Sequence, residues 1–165
     1  MPPAIVGQME MKIMYKTDNI MKRTRKTRRK FYRLRARAPY NAKGQTNLRV
    51  TWQQSGVYKI FENGKIVYIG YSGSNLYKTM YRHFQEWNHR GQPVITYAGK
   101  KKTYKVQVTL CSPGRAQALE RALIVRLKPR DNPNKYTNYT ITFKDKELLN
   151  DWEQEITIKE EDLPF

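Results

Sequence analysis

Among the side chains of types that do chemistry in the 165-residue sequence, six occur in a spaced series: Tyr58, Tyr68, Arg82, His83, Glu120 and Asn132. A histidine can move protons near neutral pH or fix the hydroxyl of a tyrosine by a hydrogen bond. A glutamate can hold one Mg²⁺ or Mn²⁺ through oxygen, with water filling the remaining positions. An arginine can neutralise an anionic group. Each residue also has a plainer reading. The tyrosines could be packing aromatics of a hairpin, and His83 a surface histidine of a helix. Glu120 could be a surface charge paired with Arg121 or Arg115, and Asn132 a turn residue before Pro133.

The elements that must position these residues can be read from pattern. Gly56-Val57-Tyr58-Lys59-Ile60-Phe61 and Lys65-Ile66-Val67-Tyr68-Ile69-Gly70 are strand-like runs. Asn63-Gly64 between them is a strong two-residue hairpin turn, because both positions tolerate positive φ. Counted out from that turn in simple register, Glu62 faces Lys65, Tyr58 faces Ile69 and Tyr68 faces Lys59. The two tyrosines then have opposite parity, so a bulge or a longer loop is needed to bring both hydroxyls to one face. A polar loop, Ser72-Gly73-Ser74-Asn75, leads into a helix expected from about Leu76 to His89, with Leu76, Met80, Phe84 and Trp87 on its apolar side. Gly91 and Pro93 are expected to cap and stop it. A third strand is expected at Tyr104–Leu110. Ser112 and Pro113 then read as N-cap and first residue of a second helix, with Ala116, Leu119, Leu123, Ile124 and Leu127 on one side and an end at Lys128-Pro129. Beyond it lie an expected strand at Tyr139–Phe143, a short helix around Leu148–Trp152 and a strand at Ile156–Ile158.

These residues, in this order, resemble the GIY-YIG nucleases. Gly56-Val57-Tyr58 stands ten residues before the matching positions of Tyr68-Ile69-Gly70. A helix bearing Arg82-His83-Phe84 follows, then Glu120 in a later helix, then Pro129-Arg130-Asp131-Asn132. The resemblance covers roughly residues 54–134. It implies an endonuclease with one divalent metal, Mg²⁺ or Mn²⁺, on Glu120. It also implies that Tyr58 accepts a proton from the attacking water, with Tyr68 and His83 positioned about the scissile phosphate and Ser72 and Asn132 supporting. A tyrosine is a poor base at neutral pH unless cations depress it, and the basic surroundings supply a field of that sign. One position departs from the pattern. Active members usually carry an arginine four residues before the position of His83, where this chain has Thr79. Arg82 is the best substitute, with Lys78 and Arg115 as other candidates. A second reading is therefore a catalytically inactive nucleic-acid-binding or packaged structural protein on the same scaffold, and a third is an RNA-binding protein.

Charge sets the partner class. The net charge is +18. Residues 1–50 hold 14 basic and 2 acidic residues, net +12, whereas residues 145–165 hold 8 acidic and 2 basic, net −6. Ten of the sixteen positions from Lys22 to Arg37 are Lys or Arg, with Phe31 and Tyr32 interleaved. That composition tracks phosphates and stacks on bases. It nominates Arg23, Arg25, Lys26, Arg28, Arg29, Lys30, Arg33, Arg35 and Arg37 as contacts for DNA, or for RNA. The solvated alternative is a basic tail. The expected organisation is a basic arm and linker at 1–50, the Asn41–Asn47 stretch being the linker. A nuclease-like core at 51–135 and a C-terminal extension with an acidic end at 136–165 follow. The expected fold is α/β (α+β), a small sheet of about three strands flanked by helices. Cys111 is the one cysteine, so neither a disulfide within the chain nor a cysteine-based zinc site is available. No apolar run is long enough to span a membrane. With no secretory signal recognisable, a cytoplasmic, nucleoid-associated or virion setting is expected.

Overall fold

The computed structural model describes residues 30–85, 88–89, 92–93, 95–97 and 103–165. The chain divides into two units, Met1–Lys30 and Phe31–Phe165. The second is an α+β unit built on a four-stranded antiparallel sheet. Its elements are β1 (Tyr32–Arg33), β2 (Gly56–Glu62), β3 (Lys65–Ser72), α1 (Leu76–Tyr81), β4 (Asn88–His89), β5 (Gln92–Pro93), β6 (Tyr104–Leu110), α2 (Pro113–Leu127) and α3 (Phe143–Gln154). The sheet order is β1-β6-β2-β3, and β4 and β5 form a separate small hairpin.

The hairpin turns where expected. Asn63 and Gly64 both take positive φ, 51° and 83°, the conformation a two-residue turn demands. Strand alternation then sends successive residues to opposite faces. Tyr58, Ile60, Val106 and Val108 pack with α1, through Leu76, Met80 and Tyr81, and with Leu34 and Leu48. Val57 and Ile69 pack on the other face with Phe31, α2 and the Leu149 and Trp152 side chains of α3.

Several expectations are corrected. The folded unit does not begin near residue 51. Phe31, Leu34 and Leu48 are all buried, and β1 pairs with β6. The presumed linker is a tight turn, in which Asn41 N–H bonds to the Gln45 carbonyl at 2.8 Å. Its Asn41 side chain accepts from Lys43 N and Gln45 N, each at 2.9 Å. Turn-forming residues look the same in a linker and in an ordered connection. The C-terminal segment belongs to the same unit as well: the Trp152 indole N–H donates to Thr109 Oγ1 at 3.0 Å.

The first helix is shorter than its apolar spacing implied. It ends at Tyr81, a 3₁₀ turn covers Arg82–Phe84, and Gln85 is extended. In a continuing helix the His83 carbonyl would accept from residue 87; here it accepts from Tyr97 N–H at 2.6 Å. His89 and Pro93 lie in the small hairpin instead, and Trp87 and Gly91 lie outside the described residues. The strand expected at Tyr139–Phe143 is absent. Thr142 is a helix N-cap, joined to Asp145 in a reciprocal capping box, and α3 starts at Phe143. Ile156–Ile158 forms only a single bridge, Ile158 to Leu34. No helix among the described residues is long and apolar enough to cross a membrane.

Candidate active site

The tyrosines reach one face because of a bulge. Glu62 pairs with Lys65 and Phe61 with Ile66, but Ile60 pairs with Tyr68, Lys59 with Ile69 and Tyr58 with Gly70. Val67 is the extra residue. Its insertion reverses the parity of the rest of β3, so Tyr68 joins Tyr58 on the α1 side. The two rings lie 6.1 Å apart and near parallel, at 25°. The flanking glycines have a steric cause. A Cβ on Gly70 would fall inside the Tyr58 hydroxyl and ring, and a Cβ on Gly56 would overlap the Thr109 carbonyl.

His83 completes the pair. Its Nε2 lies 2.7 Å from the Tyr58 hydroxyl and its Nδ1 lies 2.7 Å from the Ile95 carbonyl. A carbonyl can only accept, so Nδ1 carries the proton and Nε2 accepts from Tyr58. The ring is 4% exposed. Burial, with the Arg82 charge adding to it, holds its pKa down to about 4, against the upward pull of the Ile95 hydrogen bond. His83 is therefore neutral at physiological pH. The expectation of a depressed tyrosine is reversed. Burial, reinforced by Tyr68, raises Tyr58 well above the ordinary phenol value and outweighs the downward pull of Arg82. Burial also raises Tyr68.

A cavity of about 380 Å³ opens beside this cluster. Tyr58, Tyr68 and Gly70 of the hairpin border it, together with Thr79, Arg82 and His83 of the following turns. Glu120 of α2 and Lys135 of the loop beyond reach the same space. It lies at the outer edge of β3, where groups from both faces of the sheet can meet. Glu120 is fully buried rather than a surface charge. Neither Arg121 nor Arg115 is its partner. Its Oε2 accepts from Lys135 Nζ at 2.6 Å and its Oε1 from the Tyr136 hydroxyl at 2.8 Å.

Asn132 does not border the cavity. Its Oδ1 accepts from Ile69 N–H at 2.9 Å and its Nδ2 donates to the Ile69 carbonyl at 3.1 Å. Asp131 N–H bonds to the carbonyl of the bulge residue Val67 at 2.9 Å. Together they seal the open edge of β3 and carry the chain on toward Lys135 and Tyr136. Ser72 is likewise structural: its hydroxyl accepts from Ser74 N and Asn75 N at 3.3 and 3.0 Å, shaping the loop before α1.

The nominated basic residues separate. Arg23, Arg25, Lys26, Arg28 and Arg29 lie outside the described residues. Lys30 and Arg35 are exposed. Arg33 is built into the fold: it donates to the Trp152 carbonyl at 3.1 Å and to the Glu155 carbonyl, and lies over the Trp152 ring. Arg37 pairs with Glu160.

Sequence reasoning missed Lys135 and Tyr136. The only available signal was their position just past the Pro-x-x-Asn turn, which gave no hint that the chain folds back over Glu120. No group of three His, Cys, Asp or Glu that could hold a metal ion occurs among the described residues. Glu120 thus suits a divalent ion only in the leanest form, one carboxylate with water and a phosphate oxygen completing the shell. Lys135, whose side chain is 43% exposed, would have to swing aside. No family model, curated protein or solved structure matches this chain.

Proposed function

We propose that this protein is a metal-dependent endonuclease of the GIY-YIG kind that hydrolyses DNA phosphodiester bonds. The observation that carries the reading is the convergence of Tyr58, Tyr68, His83, Arg82 and Glu120 on one cavity, from four separate stretches of sequence. Tyr58 points its proton at the neutral Nε2 of His83. As the phenol oxygen takes a proton from an attacking water, its own proton passes to His83, and the Ile95 carbonyl holds the imidazole in place. This relay supports a tyrosine base whose free pKa is too high to act alone. Arg82 and Lys135 face the phosphate charge, and Lys135 offers the cation that Thr79 lacks. Glu120 would hold the Mg²⁺ or Mn²⁺, which when bound supplies charge neutralisation and a more acidic water.

One feature favours a second reading, a non-catalytic nucleic-acid-binding protein. Thr79 is on the cavity wall where the family pattern has arginine. Nicking of supercoiled plasmid with Mg²⁺ or Mn²⁺ separates the two. Wild type is expected to nick and Glu120→Ala to lose activity by at least about 100-fold, the scale of removing a main electrostatic group. Binding without nicking under every metal and salt condition would sink the enzyme reading and leave the second. An RNA strand in the same assay tests the remaining partner.

A further inference from the structure

Outside the cavity, a large aromatic is held out to solvent on a rigid turn. Trp52 is 45% exposed. It follows the 3₁₀ turn Arg49–Thr51, and its N–H bonds to the Arg49 carbonyl at 3.0 Å. Thr51 beneath it is buried, with its hydroxyl on the Leu48 carbonyl at 2.5 Å. Gln53 after it adopts a left-handed φ of 57°. Gln54 then accepts from Leu76 N–H at 2.8 Å, which fastens the turn to the start of α1. Tyr77 braces the indole edge-on, with ring centroids 5.5 Å apart.

The surroundings are cationic. Lys78 Nζ lies over one face of the Trp52 ring, 5.5 Å from its centroid, and Arg49 is exposed one turn before it. Lys78 adjoins Thr79 and precedes Arg82 by four, and both of those border the cavity. Lys78 is thus the cation at the indole, and Arg82 the cation at the cavity wall.

We propose that Trp52 is a stacking platform for an unpaired base, on a single strand of nucleic acid whose phosphates pass Lys78 and Arg82 toward the cavity. A rigid indole loses little entropy on binding, and every base has a face to stack on it. Bases inside a duplex keep their faces covered, so this platform selects nucleic acid with an unpaired stretch beside the cavity. The proposal rests on the nucleic-acid part of the function above, not on cleavage.

The test uses the full chain, without metal, and fluorescence anisotropy with labelled oligo(dT) and with a duplex of equal length. Trp52→Ala and Trp52→Leu are expected to lose roughly 5- to 150-fold in affinity for oligo(dT). Less than about twofold should be lost for duplex, since phosphate contacts are retained. Trp52→Phe, which keeps a stacking face, should retain most of the single-strand affinity. Thermal melts matching wild type exclude misfolding as the cause. Equal losses on both probes, or none on oligo(dT), would overturn the platform while leaving the nuclease reading intact. Wild type that binds neither probe would remove the nucleic-acid reading and the platform with it.

Discussion

The buried imidazole of His83 has a consequence for stability. His83 is neutral in the folded protein because burial holds its pKa down to about 4, while in the unfolded chain it titrates near 6.5. Below pH 6.5 the unfolded state therefore binds a proton that the native state refuses, so native stability falls as pH drops from about 6.5 toward 4. At about 1.4 kcal/mol per unit, the whole window is worth about 3 kcal/mol. Asp131 and Asp145, both held below the usual carboxylate range, lose their contributions only as pH falls through the carboxylate range itself. Urea unfolding followed from pH 7 to pH 4 should show the decline in wild type. The decline should be flatter in His83→Gln, which cannot titrate. Parallel curves would mean that His83 takes up its proton at the same pH folded and unfolded, so that burial does not hold the ring neutral below pH 6.5.

At the scale of elements, the site is made by the irregularities of the sheet rather than its regular parts. The Val67 bulge aligns the tyrosines. The Asn132 amide then closes the exposed edge of β3 in the manner of a neighbouring strand, with one donor and one acceptor on Ile69. Asn132→Ala removes both bonds and leaves two backbone groups at a buried position unpaired, at a cost of about 3 kcal/mol. Denaturant melts read this directly, and a loss under about 1 kcal/mol would mean that the edge re-seals without the amide. These elements were legible to unequal degrees. Strands β2 and β6, the Asn63-Gly64 turn and α2 with its Pro113 start follow from local pattern, because turn chemistry and periodicity decide them. Even the need for a bulge could be read, from the parity of Tyr58 and Tyr68. The end of α1 could not, because it depends on Tyr97 capturing the His83 carbonyl from fourteen residues away. The strand-like Thr140-Ile141-Thr142 concealed a capping box in which Thr142 and Asp145 bond reciprocally. Lys135 over Glu120 is a tertiary contact with no local signature.

Charge and burial divide the whole molecule at different places, and burial decides which one is the structural boundary. The basic run from Lys22 to Arg37 suggested one continuous arm, yet its last seven residues, from Phe31, are part of the folded unit. Phe31 and Leu48 are 0% exposed and Leu34 is 1%. At about 1.5–3 kcal/mol for each buried apolar side chain, the three together contribute about 4–9 kcal/mol. That is comparable with the entire net stability of a domain, about 5–15 kcal/mol. The acidic end is tied to the same stretch through Arg37–Glu160 and through Arg33 on the Trp152 and Glu155 carbonyls. Two truncations separate the roles. A chain beginning at Phe31 keeps β1 and all three apolar side chains, and is expected to melt cooperatively close to wild type. It loses nine basic residues against two acidic ones, so its binding to DNA should weaken and the slope of log affinity against log salt should become shallower. A chain beginning at Thr51 lacks Phe31, Leu34 and Leu48 and leaves one edge of β6 without β1, and should show no cooperative melt. Calorimetry and salt titration of the two chains check both halves. A cooperative melt from the Thr51 chain would return residues 31–50 to the arm, and an unchanged salt slope from the Phe31 chain would take residues 1–30 out of the nucleic-acid interface.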